Sequence, residues 1–231
     1  MAAAVRVRGA PSRVSADARS CGDDGHRFAP RYRSAAFRTA IGAHDGTLVA
    51  AYVGRLAAEK QVDVALEAVR LAATARPGAV RLLVVGDGPC DVSARSRAPE
   101  GSTFTGRLEG AALSEAYASA DVLLFPSTTD TFGNVMLEAM ASGTPVIGAD
   151  VAPTREVLLP DRGWVAPPGD ATTVASLLTR LIDDRTPLHQ RREAGLAHAA
   201  ACTWEAVWDR LFADYLTVQA SSPAARGTTR S

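Results

Sequence analysis

The sequence predicts a doubly wound α/β domain with a parallel, Rossmann-like sheet. From Thr47 onward, short apolar runs bounded by glycine alternate with longer amphipathic segments, a pattern typical of alternating strands and helices. The runs Leu82–Val85 and Val122–Phe125 are apolar at every position, as expected for strands that helices cover on both faces. The chain has 231 residues, of which 47% are hydrophobic, enough to bury such a core.

Six strands and six helices are predicted in order along the chain. The strands are predicted over Thr47–Val53, Arg81–Val85, Ser102–Thr105, Asp121–Phe125, Pro145–Gly148 and Gly163–Val165. The helices are predicted over about Glu59–Arg76, Gly110–Ser119, Gly133–Ser142, Thr154–Leu159, Asp170–Asp183 and Thr203–Val218. We therefore expect one domain over 27–218 with a C-terminal helix, a flexible leader or linker remnant over 1–26, and a disordered tail over 219–231.

Composition excludes several classes of protein. The 25 basic and 25 acidic residues balance, which gives no reason to expect nucleic acid as a partner. The three cysteines, Cys21, Cys90 and Cys202, form no Cys-x-x-Cys pair, so no metal site is expected from them. The apolar runs are too short to span a membrane. We expect a cytoplasmic protein. A peripheral position at a membrane surface and an arginine-rich organelle transit peptide in the first 20 residues are alternatives.

A glycine and two cations follow the first predicted strand. Gly54 and Arg55 end that strand, and Lys60 lies five residues after Arg55, near the predicted start of a helix. Because backbone amides and the dipole of a helix N-terminus add to the charge of such cations, this loop suits an anion. Lys60 is the single lysine among the 25 basic residues, and a compact ammonium is suited to phosphate oxygens. For Arg55, surface solvation is an equally good interpretation.

Glycine also ends the second and third predicted strands. Gly86 lies in the run VGDGP, and Gly106 and Arg107 lie in FTGRL. Glycine permits a tight turn and a close approach of the backbone to a ligand, but Asp-Gly and Gly-Pro are also common in ordinary turns. A structural turn is the favoured interpretation of Gly86 taken alone. Three successive strand ends with glycine nevertheless indicate a shared site at one edge of the sheet.

Two carboxylates lie around the start of the helix predicted at Gly133–Ser142. Asp130 belongs to the polar loop STTDT, where it is either an N-cap or a functional group. Glu138 lies inside the helix among apolar neighbours, and a buried acid needs a partner. The hydroxyls of a ribose would satisfy it. The helix N-terminus would then face a diphosphate.

Four segments together resemble the donor-binding half of retaining glycosyltransferases with the two-domain GT-B fold. They are GRLAAEK at 54–60, VVGDGP at 84–89, FTGRL at 104–108 and FPSTTDTFGNVMLEAMASGTPVI at 125–147. Within that group, the TDTFGNVMLEAMASG stretch is most similar to GDP-mannose-dependent alpha-mannosyltransferases. The resemblance implies transfer of a hexose, in particular mannose, from a nucleotide sugar to a lipid or glycan acceptor.

The resemblance also implies roles for individual side chains. Arg55 and Lys60 would bind the donor diphosphate, and Glu138 would bind the ribose. Asp130 stands where the family more often has a glutamate that faces the transferred sugar. No metal or other cofactor is implied, because cations and helix amides neutralise the leaving diphosphate in this family.

Loops and backbone groups complete the implied donor site. Those expected to contact the sugar and phosphate are Phe132, Gly133 and Asn134. Those expected at the first strand end and around the nucleobase are Gly54, Gly86, Gly106 and Arg107. The histidines fall outside every motif and are expected at the surface: His26, His44, His189 and His198.

The resemblance further implies a second domain that binds the acceptor and precedes the donor-binding half. The segment CGDDGHRFAP at 21–30 resembles the linker between the two halves. We therefore expect a separate acceptor domain as a partner. The rival hypothesis is a non-catalytic fragment or partner subunit that binds a nucleotide sugar without transferring it. A dehydrogenase is a weaker alternative, because the first strand is not followed by a Gly-x-Gly-x-x-Gly turn.

Overall fold

In a computed structural model of the chain, residues 27–130 and 134–202 are described. Their strands are Leu48–Val53 (β1), Val80–Val85 (β2), Thr103–Gly106 (β3), Val122–Phe125 (β4), Val146–Ala149 (β5) and Gly163–Ala166 (β6). All pair in parallel in one sheet with the order β3-β2-β1-β4-β5-β6. The predicted α/β fold with a parallel sheet is confirmed, and each strand lies within one residue of its predicted bounds.

Alternate residues of the central strands enter two separate cores. In β1, Leu48, Ala50 and Tyr52 pack in one core, whereas Val49 and Ala51 pack in the other. This division follows from the alternation of side chains along a strand. Because both faces are covered, the strand must be apolar at successive positions, which explains the uninterrupted runs in the sequence.

Eight α-helices are described. They are Ala35–Ala40 (α1), Val62–Ala75 (α2), Asp91–Arg97 (α3), Gly110–Ser119 (α4), Asn134–Ala141 (α5), Ala152–Leu158 (α6), Ala171–Asp183 (α7) and Thr186–Ala201 (α8). Residues of α2 and α7 cover one face of the sheet, and residues of α4 and α5 cover the other. The amphipathic spacing of these four helices placed them correctly in the predicted order.

Three of the helices were missed by the sequence prediction, namely α1, α3 and α8. Their apolar spacing is weak: α3 buries only Ala94, and the 16 residues of α8 bury only Leu188 and Gly195. A helix that buries so few side chains leaves little periodic signal. The predicted helix Thr203–Val218, the leader and the tail lie outside the described residues.

The order of the strands creates a topological switch point between β1 and β4. From β1 the chain moves outward to β2 and β3, and it then returns to β4 on the other side of β1. In sheets of this kind, ligands bind beyond the carboxyl ends of the strands where the order reverses. The loops that follow β1 and β4 are therefore the first place to look for a site.

Candidate functional site

The loop after β1 brings Lys60 to the switch point. Ala58–Lys60 forms a short 3-10 turn, Gln61 has a left-handed backbone with φ of 51°, and α2 begins only at Val62. The prediction that the helix starts at Glu59 is therefore wrong, because the left-handed Gln61 interrupts helical geometry. Lys60 consequently lies in the connection before the helix rather than within its first turn.

Lys60 and Asp130 meet across the switch point. The Lys60 Nζ atom lies 2.5 Å from Oδ1 of Asp130, and both side chains are roughly three-quarters buried. Next to this ion pair, Gln61 Nε2 donates to Thr128 Oγ1 over 3.3 Å. The loops after β1 and β4, which are separated by about 70 residues of chain, are thus fastened together by two side-chain contacts.

Arg55 has a fixed backbone and an exposed side chain. The Tyr52 hydroxyl donates to the Arg55 carbonyl over 3.0 Å. Tyr52 is buried, and its burial, with a further contribution from the negative charge of Asp130, raises the pKa of its hydroxyl. The Arg55 side chain is 66% exposed and its nearest carboxylate, that of Glu59, is 3.8 Å away. Its guanidinium is therefore weakly held at the mouth of the site and largely in contact with solvent.

The three glycines at the strand ends form one continuous hydrogen-bonded edge. Gly54 N–H donates to the Val85 carbonyl over 3.0 Å, and Gly86 N–H donates to the Gly106 carbonyl over 2.8 Å. Gly86 has φ of 135°, and a Cβ placed there would lie 1.9 Å from the Gly54 carbonyl oxygen. Close packing of the backbone thus suffices to explain glycine at position 86. Arg107 beyond this edge is largely exposed and pairs with Glu109.

Glu138 has a buried partner that sequence reasoning missed. The hydroxyl of Tyr117, on α4, donates to Glu138 Oε2 over 2.8 Å, and the Tyr117 side chain is fully buried. Burial and the charge of Glu138 raise the pKa of Tyr117 well above its ordinary value, so the tyrosine remains a donor. The signal was a tyrosine on a helix of mostly small residues, because a buried phenol needs a hydrogen-bond partner.

Two of the expected donor-binding residues, Phe132 and Gly133, lie outside the described residues. Asn134 is the first residue of α5. The alternative prediction of Asp130 as an N-cap depends on residues 131–133 and is not tested. The predicted site residues that are described therefore fall into two groups: the pair Lys60 and Asp130, in direct contact, and the separate loop and helix positions around it.

Histidine positions were predicted with partial success. His44 and His189 are exposed as expected, and His26 lies outside the described residues. The expectation is wrong for His198, which is partly buried with its Nδ1 3.1 Å from Arg162 Nη1. Burial, and then the charge of Arg162, lower the pKa of His198. The neighbouring Cys202 Sγ lies 3.6 Å from the His198 Nε2 atom.

The described ranges, 27–130 and 134–202, contain no group of three or more His, Cys, Asp or Glu side chains arranged to hold a metal ion. None of the helices within them has both the length and the apolar character needed to cross a membrane.

Comparisons with known proteins identify the family. Residues 47–184 match the model for glycosyl transferases group 1. The chain is 38% identical over 203 residues to the GDP-mannose-dependent alpha-mannosyltransferase of Mycobacterium tuberculosis, with 86% of this chain and 50% of that relative covered. It is 36% identical over 171 residues to sulfoquinovosyl transferase SQD2 of Arabidopsis thaliana, with 71% and 32% covered. The chain thus spans about half the length, or less, of these curated relatives.

The solved structures agree with this result. Sucrose-phosphate synthase from Thermosynechococcus elongatus superposes with a TM-score of 0.69 at 26% identity, and 87% of this chain and 52% of that chain are covered. The matched region of this chain contains β1 to β6 and both loops at the switch point. The chain therefore belongs to the glycosyl transferases group 1 family and has the Rossmann-like fold found in GT-B glycosyltransferases.

Proposed function

We propose that this chain is the donor-binding half of a retaining, metal-independent glycosyltransferase. In this proposal it binds GDP-mannose and transfers mannose to a lipid or glycan acceptor, with a separate acceptor domain completing the cleft. The observation that carries the proposal is the Lys60–Asp130 contact at the switch point, because it places a cation and a carboxylate where a fold of this kind binds its ligand.

Lys60 is assigned to the donor diphosphate. Departure of a nucleoside diphosphate develops negative charge on the leaving oxygens, and a fixed cation stabilises that charge in the transition state. Lys60 is paired with the Asp130 carboxylate, and about a quarter of its side chain is exposed. A phosphate oxygen can therefore replace Asp130 as the acceptor of hydrogen bonds from the Lys60 ammonium. Arg55, exposed at the mouth, supplies a second cation.

Asp130 and Glu138 are assigned to the sugar groups of the donor. When Lys60 pairs with the diphosphate instead of Asp130, the Asp130 carboxylate can accept hydrogen bonds from the transferred sugar. Glu138 is oriented by the Tyr117 hydroxyl and would accept hydrogen bonds from the ribose. Backbone groups at Phe132, Gly133 and Asn134 would complete the phosphate contacts, and the loops at Gly86 and Gly106–Arg107 would border the base.

The choice of GDP-mannose rests on the relatives. The relative at 38% identity is named for GDP-mannose, whereas one at 36% is named as a sulfoquinovosyl transferase. The difference in identity is small, so the sugar needs a direct test. Calorimetry on the folded chain with GDP, UDP and GDP-mannose should show the tightest binding for the guanine nucleotides. Absence of binding for all three at millimolar concentration would contradict the proposed donor site.

The rival function is nucleotide-sugar binding without transfer. Single-turnover assays with radiolabelled donor separate the two: release of the sugar to acceptor or water at enzyme-like rates excludes an inert binding module. For the retaining outcome, the anomeric configuration of the product is read by NMR. A product with inverted configuration would contradict that part of the proposal and leave donor binding intact.

A further inference from the structure

A second charged cluster lies at the opposite end of the sheet from the proposed donor site. Asp121 directly precedes β4, and its Oδ1 accepts from Arg33 Nη2 over 2.7 Å. Its Oδ2 accepts from Arg38 Nη1 over 3.0 Å and from Val49 N–H over 2.8 Å. Arg185 Nη1 lies 3.9 Å from the same oxygen. One carboxylate therefore organises three guanidinium groups.

The cluster borders an open cleft of about 230 Å³. Its charged and titratable lining consists of Arg33, Asp121, Arg185, His189 and Arg192. Arg185, His189 and Arg192 are spaced four and then three residues apart at the start of α8, so they share one face of that helix. The cleft is thus walled by arginines from two distant parts of the chain around a carboxylate that is already neutralised.

Positive charge exceeds negative charge in this cleft. Arg33, Arg185 and Arg192 line this cleft, and Arg38 lines the adjoining one. Against these four cations stand two acids, Asp121 and Asp45 of the adjoining cleft, so a surplus of two positive charges remains. Burial chiefly lowers the pKa of Arg185; Asp121 opposes this shift, and Arg38 and Arg33 add to it. A group with two negative charges would balance the surplus, whereas a single carboxylate would not.

Among the arginines that line the cleft, Arg192 alone has no polar partner within the described residues. Arg33 and Arg38 also donate to backbone carbonyls at the end of α4, and Arg185 donates to the Gly46 carbonyl. Arg192 makes no hydrogen bond or ion pair with any residue in the part of the chain that the structure describes. Its guanidinium packs over Gly143, where an added Cβ would lie 2.9 Å from Nε.

We infer that this cleft binds a phosphomonoester group, which carries up to two negative charges, either on a small soluble molecule or on the headgroup of a lipid such as phosphatidic acid. Guanidinium forks match the oxygens of a phosphate in pairs. Since the cleft lies at the amino end of β4 and the donor site at its carboxyl end, the inference is independent of the proposed function.

The test is a titration of the full chain with inorganic phosphate and with glycerol 3-phosphate, followed by NMR. The amides of Gly46 and Gly143 should shift, and the same shifts should appear in Lys60→Ala, which removes the cation of the proposed donor site. Arg192→Gln should weaken the binding roughly ten- to a hundredfold, as expected for loss of one charge-assisted contact. Arg70→Gln, the same change of charge on an exposed face of α2, should leave it unchanged.

Co-sedimentation with phosphatidylcholine vesicles, with and without phosphatidic acid, identifies the source of the phosphate. Binding that needs phosphatidic acid and falls in Arg192→Gln assigns the cleft to a lipid headgroup. Binding of glycerol 3-phosphate alone assigns it to a soluble ligand. The inference is overturned if the Gly46 and Gly143 amides do not shift and vesicle binding is absent, or if Arg192→Gln and Arg70→Gln behave alike in both assays.

Discussion

The two ends of β4 hold their carboxylates in opposite ways. Asp121, just before the strand, is 13% exposed and contacts a backbone amide and three arginines. Asp130, five residues after the strand, is 29% exposed and pairs with Lys60. A carboxylate with many fixed partners is a structural element, since none of its partners can leave without a large cost. A carboxylate that pairs with one cation can give up that contact, and the cation then becomes available to a ligand.

The largest expected effect is on stability, at Asp121, which has several fixed partners. Replacing Asp121 with alanine leaves three arginines without their shared carboxylate and frees the Val49 amide, so we expect a loss of about 3 kcal/mol in the free energy of unfolding. Urea denaturation followed by circular dichroism measures it. Asp183→Ala, which breaks an exposed ion pair with Arg76, is the control and should change little. Equal effects of the two variants would contradict the comparison.

The next largest effect is on nucleotide binding, at Lys60, which pairs with Asp130. We expect Lys60→Ala to weaken GDP binding by roughly 1.5–3 kcal/mol, as for loss of a charge-assisted hydrogen bond, with a much smaller change in stability than Asp121→Ala. Calorimetry measures the affinity. Arg97→Ala, which removes an exposed partner of Asp63 on α2, should bind GDP as the parent chain does. Unchanged affinity in Lys60→Ala would remove Lys60 from the donor site.

A smaller effect is expected at the Tyr117–Glu138 contact. Tyr117→Phe removes the hydroxyl that orients Glu138 and should cost about 1 kcal/mol in stability. It should also weaken binding of GDP more than that of 2′,3′-dideoxy-GDP, because the latter lacks the ribose hydroxyls assigned to Glu138. Tyr52→Phe is the matched control, since it removes a buried hydroxyl bonded to the Arg55 carbonyl. If both variants weaken the two nucleotides alike, Glu138 has no special role toward ribose.

The smallest effect concerns pH. His198 lies beside Arg162. Protonation of His198 would therefore place two positive charges together, whereas the arginines around Asp121 face a negative charge. Because the folded pKa of His198 is below its ordinary value of 6.5, the unfolded chain takes up this proton first as the pH falls. Its contribution to stability is therefore complete above pH 6.5 and is lost progressively below that value. His198→Gln should reduce the loss of stability between pH 7 and 5 in urea titrations, and an unchanged slope would contradict this assignment.

Local patterns determined how far sequence reasoning could go. Runs such as Leu82–Val85 define strands because burial on both faces requires successive apolar residues, and amphipathic helices such as α2 and α7 are equally visible. The helix α8 is not visible in this way, because it buries only Leu188 and Gly195. The left-handed Gln61 was also missed, since its side chain gives no sign of that conformation.

The site was predicted residue by residue, but its contacts were not. Lys60 and Asp130 were each singled out from their loops, yet their ion pair depends on the pairing of β1 with β4. Tyr117 was not singled out, although the acid it contacts was expected to need a partner. Contacts between distant segments are set by strand order and side-chain packing, which neither composition nor periodicity specifies.

The contact between Gly86 and Gly54 limits where the proposed base-binding rim can vary. With the Gly54 carbonyl oxygen 1.9 Å from where a Cβ would stand, any side chain at position 86 would push the ends of β1 and β2 apart. The exposed Asp87 carries no such constraint. A library aimed at nucleotide preference should therefore hold both glycines constant and vary Asp87, where new chemistry can be introduced without rebuilding the backbone.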